Sequence, residues 1–141
     1  MSFVLDISVT MCWLLNDGNP AGVAYSTRVL DALKERQAVV PGIWGLEVAN
    51  VIAKIEAKAL VTEARTQAFT ATLQRMNIVV DKATASHALG EILHLAKRYK
   101  LSSYDAAYLE LAMREGLPIA TLDDALERAA KKAGVKRFDI K

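Results

Sequence analysis

The sequence predicts a three-layer α/β/α domain, with a central parallel sheet of four to five strands flanked by helices. Two observations predict this class. Short, almost wholly apolar runs alternate with longer stretches whose apolar residues recur at helical spacing. Strands that are apolar on both faces suit a parallel sheet that is covered on both sides, and a regular alternation of strands and helices is typical of α/β folds.

Five short runs are the candidate strands: residues 3–6, 38–41, 77–81, 118–121 and 135–138. The last run, VKRF, is the most polar, and we predict that it forms an edge strand. The candidate helices are six longer stretches: residues 20–36, 46–59, 62–76, 84–98, 104–115 and 124–133. Thr62 is a predicted N-cap, and Gly116 and Gly134 mark helix ends.

Length and composition indicate one globular domain. The chain has 141 residues, of which 52% are hydrophobic and 24% are charged. A chain of this length buries about two thirds of its unfolded surface, so folding requires neither a disulfide nor a structural metal. The composition excludes disordered and low-complexity classes. Because no internal repeat or Gly/Ser-rich linker interrupts the pattern, we expect a single domain over residues 1–141.

The charge and cysteine content bear on partners and compartment. The net charge of +2 does not by itself indicate a nucleic-acid-binding protein, although 18 Lys and Arg leave room for a local basic patch. No stretch approaches the ~18 apolar residues of a membrane helix. The N-terminal segment lacks a basic leader, and Asp6 interrupts its apolar run. Since Cys12 is the only cysteine, we expect a reducing, cytoplasmic location.

Four acidic residues stand in apolar company and form the candidate site. Asp6 and Asp123 follow candidate strands, whereas Glu47 and Asp105 lie in the first turns of candidate helices. The carboxyl ends of parallel strands converge on a crevice where the strand order reverses. We therefore expect the four carboxylates to meet there.

Helix capping is the structural alternative for these acids. Asp6 is suited to capping a helix from about residue 9, and SSYD has the form of a capping box with Ser102 as N-cap. In TLDD, Asp124 is the favoured capping residue, which leaves Asp123 free. A solvated helix face is the corresponding alternative for Glu47.

Converging carboxylates favour a metal ion. Two carboxylates about 5 Å apart repel each other by roughly 3 kcal/mol at an effective dielectric constant near 20, so either their pKa values rise or a divalent cation binds. All-oxygen ligation suits Mg²⁺ or Mn²⁺. His87, His94 and Cys12 do not have the spacing of a zinc site. Without a nucleophile elbow or a phosphate-binding glycine motif, these residues permit phosphodiester hydrolysis by metal-activated water.

Four motifs in order, VLDISV, EVANVI, SSYDAAYLELA and LPIATLDDAL, resemble those of the PIN domain. More narrowly, they resemble the VapC toxins of bacterial and archaeal toxin–antitoxin pairs, over residues 3–138. The resemblance implies a helix-sandwiched parallel sheet and a Mg²⁺- or Mn²⁺-dependent endoribonuclease that leaves a 5′-phosphate and a 3′-hydroxyl. It also implies a homodimer that is inhibited by a cognate VapB-type antitoxin.

The resemblance assigns roles to seven residues of the motifs. The acids Asp6, Glu47, Asp105 and Asp123 match the catalytic, metal-binding quartet. The small polar residues Ser8, Asn50 and Thr121 match supporting positions that hydrogen-bond the carboxylates or metal-bound waters.

Cations near these motifs are candidate RNA contacts. They are Lys54, on the same helix face as Glu47, and Lys97, Arg98 and Lys100, which closely precede Asp105. Lys and Arg at such positions can contact the phosphate backbone. The alternative is a solvated helix end whose cations interact with the helix dipole.

Two other functions compete with the ribonuclease. One is a non-catalytic, PIN-like binding module. The other is a receiver-like domain with Asp81 as phosphoacceptor. A receiver would have a pair of acids after the first strand, where this chain has only Asp6, and it leaves Glu47 and Asp105 unexplained.

Overall fold

The structure, a computed structural model, describes residues 2–139; the ends of the predicted domain, residues 1 and 140–141, lie outside the described residues. The strands are β1 (Phe3–Leu5), β2 (Ala38–Val40), β3 (Ile78–Val80) and β4 (Ile119–Ala120). The helices are α1 (Ile7–Leu15), α2 (Pro20–Ala32), α3 (Trp44–Ala57), α4 (Glu63–Arg75), α5 (Thr84–His87), α6 (Leu93–Tyr99), α7 (Ser103–Glu115) and α8 (Asp124–Lys132), with a π-helical turn at Ala88–Ile92.

The four strands form one parallel sheet in the order β3-β2-β1-β4. The chain therefore moves outward on one side of β1 through β2 and β3, and then returns to the other side of β1 to form β4. This places the reversal of strand order between β1 and β4. Long connections that contain helices are what parallel neighbours require.

Helices cover both faces of the sheet, which confirms the predicted three-layer class. Val4 and Ile119 pack on one face in an apolar cluster with α7 and α8. Phe3, Leu5 and Ala120 point to the other face, where they pack against α2. A third cluster joins α1, α3 and α4 beside the sheet. Because strand side chains alternate between faces, three residues of β1 are enough to anchor both layers.

The prediction that residues 135–138 form a fifth strand is wrong. Among the described residues, this segment forms a single parallel bridge, between Ile119 and Arg137. Gly134 turns the chain with a φ of +82°, and the charged run that follows adds little apolar surface for a sheet face. Phe138 is the exception, since its ring stacks on Phe3 with centroids 4.0 Å apart.

Three other predictions required correction. The single helix over 84–98 is instead α5, the π-helical turn and α6, and Gly90 lies within the turn, where the lack of a side chain weakens a regular α-helix. Strand β3 is not buried on both faces, because it lies at the sheet edge; Val79 and Val80 are 43% and 48% exposed. Helix α1 begins at Ile7, two residues before the expected start.

Candidate metal-binding active site

The reversal of strand order creates the crevice in which the candidate site lies. Asp6 directly follows β1, and Thr121 directly follows β4. These strands are neighbours, with Leu5 opposite Ala120. The first turns of α3 and α7 contribute Glu47 and Asp105. We refer to Asp6, Glu47, Asp105 and Asp123 as the acidic site.

Asp6 is the most buried member of the acidic site, at 1% exposure. It caps α1, and its Oδ2 atom accepts hydrogen bonds from Ser8 Oγ at 2.5 Å and Thr121 Oγ1 at 2.9 Å. Its other oxygen, Oδ1, is buried and has no hydrogen-bond partner among the described residues. A buried carboxylate oxygen without a partner is costly unless something else binds it.

Ser8 and Thr121 connect the ends of β1 and β4. Besides donating to Asp6, Ser8 Oγ accepts the backbone N–H of Leu122 at 2.9 Å. Thr121 Oγ1 accepts the backbone N–H of Asp123 at 3.0 Å. Each hydroxyl therefore both donates and accepts, which fixes its orientation. The network holds the Asp6 carboxylate and the start of the Asp123 loop in one arrangement.

Glu47 receives its hydrogen bond from α7. The hydroxyl of Tyr108 donates to Glu47 Oε1 at 2.6 Å. Asn50 is exposed one helical turn after Glu47 and forms no hydrogen bond with the acidic site in the described part of the chain. Both residues line a groove of about 470 Å³ whose walls include Ile7 and Tyr104. The groove gives solvent and ligands access to the Glu47 side of the site.

Asp123 corrects the predicted capping assignment. Its Oδ1 atom accepts the N–H of Leu126 at 2.9 Å, so Asp123, and not Asp124, is the N-cap of α8. Strand β4 ends at Ala120, and the backbone of Asp123 is still extended. Because the N-cap is the last extended residue before a helix, this position falls to Asp123. The predicted N-cap at Ser102 is confirmed, since its Oγ accepts the N–H of Asp105 at 3.1 Å.

The electrostatics of the acidic site favour protonation or a bound cation. Burial raises the pKa of Asp6, and the nearby carboxylate of Asp123 adds to this, while Ser8 and Thr121 oppose it. Burial raises the pKa of Glu47 against its hydrogen bond from Tyr108, and the charges of Asp6 and Asp105 raise it further.

The pKa of Asp105 is raised in the same way. Burial and the charges of Asp6 and Asp123 raise its pKa to about 6. The negative charges of the acidic site thus act on Asp6, Glu47 and Asp105. Within residues 2–139, no Lys, Arg or His side chain forms an ion pair with any of them.

The donor set of the acidic site fits a hard divalent cation. Its potential ligands are all oxygens, its charge is uncompensated, and Asp6 Oδ1 is a buried acceptor that needs a partner. Among the described residues, no three acidic, His or Cys side chains converge as a ready-made ion site. The fit therefore rests on the charge and on the orphaned oxygen.

The predicted RNA contacts lie at two surfaces. Lys54 is exposed on α3, two turns after Glu47. Lys97 and Arg98 occupy the last turn of α6, and Lys100 follows it with a left-handed backbone. All four are exposed. The α6 group also has the position in which cations stabilise a helix C-terminus.

Tyr108 is the site residue that sequence reasoning missed. Its apolar neighbours in the motif favour a core position, and it is indeed 0% exposed. The available signal was its spacing: Tyr108 follows Asp105 by three residues, so the two share a face of α7. A buried tyrosine on the face of a candidate ligand has a hydroxyl that must find a polar partner.

Comparison with known proteins identifies the family. The family model of the PIN domain matches residues 3–132, and the chain therefore belongs to the PIN domain family. No curated protein matches the chain.

Two solved structures share the fold. PAE2754 from Pyrobaculum aerophilum has a TM-score of 0.67 and 20% identity, over 97% of this chain and 83% of its own. VapBC2 from Rickettsia felis, solved bound to a DNA fragment from its promoter, has a TM-score of 0.67 and 15% identity, over 98% of each chain. In the described part of the present chain, no helix is both long and apolar enough to span a membrane.

Proposed function

We propose that this chain is a VapC-type toxin, an endoribonuclease that hydrolyses RNA phosphodiester bonds at the acidic site with Mg²⁺ or Mn²⁺. The observation that carries the proposal is the buried Asp6 Oδ1, which has no hydrogen-bond partner among the described residues and lies within a group of carboxylates that form no ion pair there. Membership of the PIN domain family and the shared fold of VapBC2 support it.

The acidic residues hold the ion in this proposal. Asp6 and Asp105 would be its direct ligands, Glu47 would be the next, and Asp123 would bind it directly or through a water. Once bound, such an ion supplies the positive charge that orients a phosphodiester, activates water and stabilises the leaving oxygen. Ser8 and Thr121 keep the Asp6 carboxylate oriented, which their hydrogen bonds support.

The RNA substrate needs cations outside the acidic site, because both the phosphate backbone and the site are negative. We assign this role to Lys54, Lys97, Arg98 and Lys100, whose exposed side chains can reach phosphates. Asn50 and Tyr104 line the groove beside Glu47 and are placed to contact the nucleotide there.

A VapB-type antitoxin and a second copy of the chain are the proposed protein partners, in the cytoplasm. Exposed apolar side chains support such contacts, because they leave surface to be covered. Leu46 and Leu89 are 75% and 89% exposed, and Leu93 and Tyr104 are also exposed. Light scattering of the purified chain tests the homodimer, and co-purification with the product of a neighbouring small reading frame tests the antitoxin.

The decisive experiment is cleavage of a labelled RNA pool with Mg²⁺, with Mn²⁺ and with EDTA. The matched control is the double variant Asp6→Asn, Asp105→Asn, which keeps the size of both side chains. We expect cleavage that requires the metal and is lost in the variant. Equal cleavage by the variant would reveal a contaminating nuclease, and Mn²⁺ binding without cleavage of any RNA would favour the non-catalytic binding module.

A further inference from the structure

Tyr108 is a buried phenol whose hydroxyl has a specific acceptor. Its side chain lies in the apolar cluster between α7 and the sheet, and it is 0% exposed. The hydroxyl donates to Glu47 Oε1 at 2.6 Å, which is the short distance typical of a hydroxyl bound to a carboxylate. The contact joins residues that are 61 positions apart in the chain.

The packing of this cluster does not require the hydroxyl. A phenylalanine has the same ring and would fill the same volume among Val4, Leu109 and Leu126. Burying a hydroxyl in apolar surroundings is unfavourable unless it forms a hydrogen bond. The distinctive contribution of the tyrosine hydroxyl is therefore its hydrogen bond to Glu47, whose side chain lines the groove.

Residues on one face of helix α7 position two acids of the site. Asp105 and Tyr108 are three residues apart and lie on the same side of the helix. The helix thus presents its own carboxylate and also holds that of Glu47 from α3. Because the phenol is neutral, it orients Glu47 without cancelling the negative charge that attracts a divalent cation.

We propose that Tyr108 is a positioning residue, which fixes the Glu47 carboxylate in the acidic site so that the site binds a divalent cation. This inference rests on the proposed function. It adds a residue that contacts neither the ion nor the RNA and acts through Glu47; its hydroxyl is also in hydrogen-bond contact with the backbone of Ile7.

The test is Mn²⁺ binding to the purified protein, measured by the loss of the free Mn²⁺ EPR signal. Outer partners of metal ligands typically contribute about 10- to 100-fold to affinity, and we expect Tyr108→Phe to weaken Mn²⁺ binding about 10-fold. The matched control is Tyr25→Phe. Tyr25 is 2% exposed and donates to the Phe138 carbonyl at 2.6 Å, but it belongs to the cluster on the opposite face of the sheet. The Tyr25→Phe variant should bind Mn²⁺ with the same affinity as the wild type.

A double-mutant cycle with Glu47→Ala isolates the contact. In that background, Tyr108→Phe should have no further effect on Mn²⁺ affinity. Wild-type affinity in Tyr108→Phe, or the same loss in Tyr25→Phe, would overturn the role of Tyr108 while leaving the proposed function intact. A wild-type protein that does not bind Mn²⁺ would instead overturn the proposed function, and the inference with it.

Discussion

Two groups of acids in this molecule differ in how their charge is balanced. The acidic site lies beside the ends of β1 and β4, and among the described residues no Lys, Arg or His side chain forms an ion pair with it. The second group, which we call the Arg114 cluster, consists of Asp81, Glu110, Glu115 and Arg114. Asp81 follows β3 just as Asp6 follows β1. Two acids in equivalent positions at strand ends therefore have opposite surroundings.

The Arg114 cluster satisfies its acids internally. The Arg114 guanidinium donates to Asp81 Oδ2 at 2.6 Å and to Glu110 Oε2 at 2.8 Å. These hydrogen bonds hold the pKa of Asp81 below its usual range and raise that of Arg114. Both oxygens of Asp81 are engaged by Arg114, which argues against the receiver-like role considered for this residue.

An acidic residue at the end of a strand therefore does not by itself mark a functional site. What distinguishes the acidic site is the kind of donor it uses. Ser8, Thr121 and Tyr108 orient carboxylates with neutral hydroxyls, whereas Arg114 neutralises them. A region that leaves its acids without cationic partners gives up stability, as functional sites commonly do; under the proposed function, this charge binds the ion.

The largest expected effect comes from removing the cation of the Arg114 cluster. Arg114→Met leaves Glu110, whose side chain is 4% exposed, as a buried carboxylate without its guanidinium. Removing one partner of a buried ion pair typically costs about 3 kcal/mol or more. We expect the free energy of unfolding, measured in urea, to fall by about 3 kcal/mol, with Mn²⁺ affinity unchanged.

The control for this prediction removes the stranded acid as well. The double variant Arg114→Met, Glu110→Met should recover much of the lost stability, because apolar side chains of similar size can replace a buried ion pair. A single Arg114→Met variant within about 0.5 kcal/mol of the wild type, the range of an ordinary surface substitution, would show that the cluster does not stabilise the fold.

The pH dependence of stability should have opposite signs in the two regions. Burial and neighbouring negative charges raise the pKa of Asp105 to about 6 in the folded protein, so its contribution to stability is present below about pH 4 and is lost as the pH rises through 6. For Asp81, whose folded pKa is lowered, the contribution is present above about pH 4 and is lost as the pH falls below it.

Chemical denaturation without metal tests this difference. After allowance for solvent screening, we expect the wild type to lose about 1 kcal/mol between pH 4.5 and pH 7 through the acidic site. Asp105→Asn should lose less over this interval, whereas the matched variant Asp81→Asn should lose as much as the wild type. Adding Mn²⁺ at pH 7 should restore stability in the wild type by mass action. An equal pH dependence of the unfolding free energy in Asp105→Asn and the wild type would contradict the raised pKa of Asp105.

The candidate acids can be singled out from the sequence, whereas the donors that contact acids in either group cannot. Residues such as Asp6, in an apolar run at a strand end, can be recognised because burial and charge conflict locally. The Tyr108–Glu47 and Arg114–Asp81 contacts join residues 61 and 33 positions apart, and no local pattern specifies which donor reaches which acid. The prediction of a strand over residues 135–138 failed for a related reason. Whether a segment pairs at the edge of a sheet depends on the neighbouring strand more than on the segment's own residue pattern.

The smallest expected effect concerns cations at the surface, which act on the substrate and not on the acids. Each Lys that contacts a phosphate contributes about 0.7 to the slope of log affinity against log salt for single-stranded RNA. We expect Lys97→Ala or Lys100→Ala to weaken RNA binding about threefold near 0.1 M salt and to reduce that slope by about 0.7, measured with the inactive Asp6→Asn, Asp105→Asn protein. Lys131→Ala, an exposed lysine in the last turn of α8, is the matched control and should leave the slope unchanged. If Lys97→Ala and Lys100→Ala also leave it unchanged, these cations only stabilise the end of α6 and do not contact the RNA.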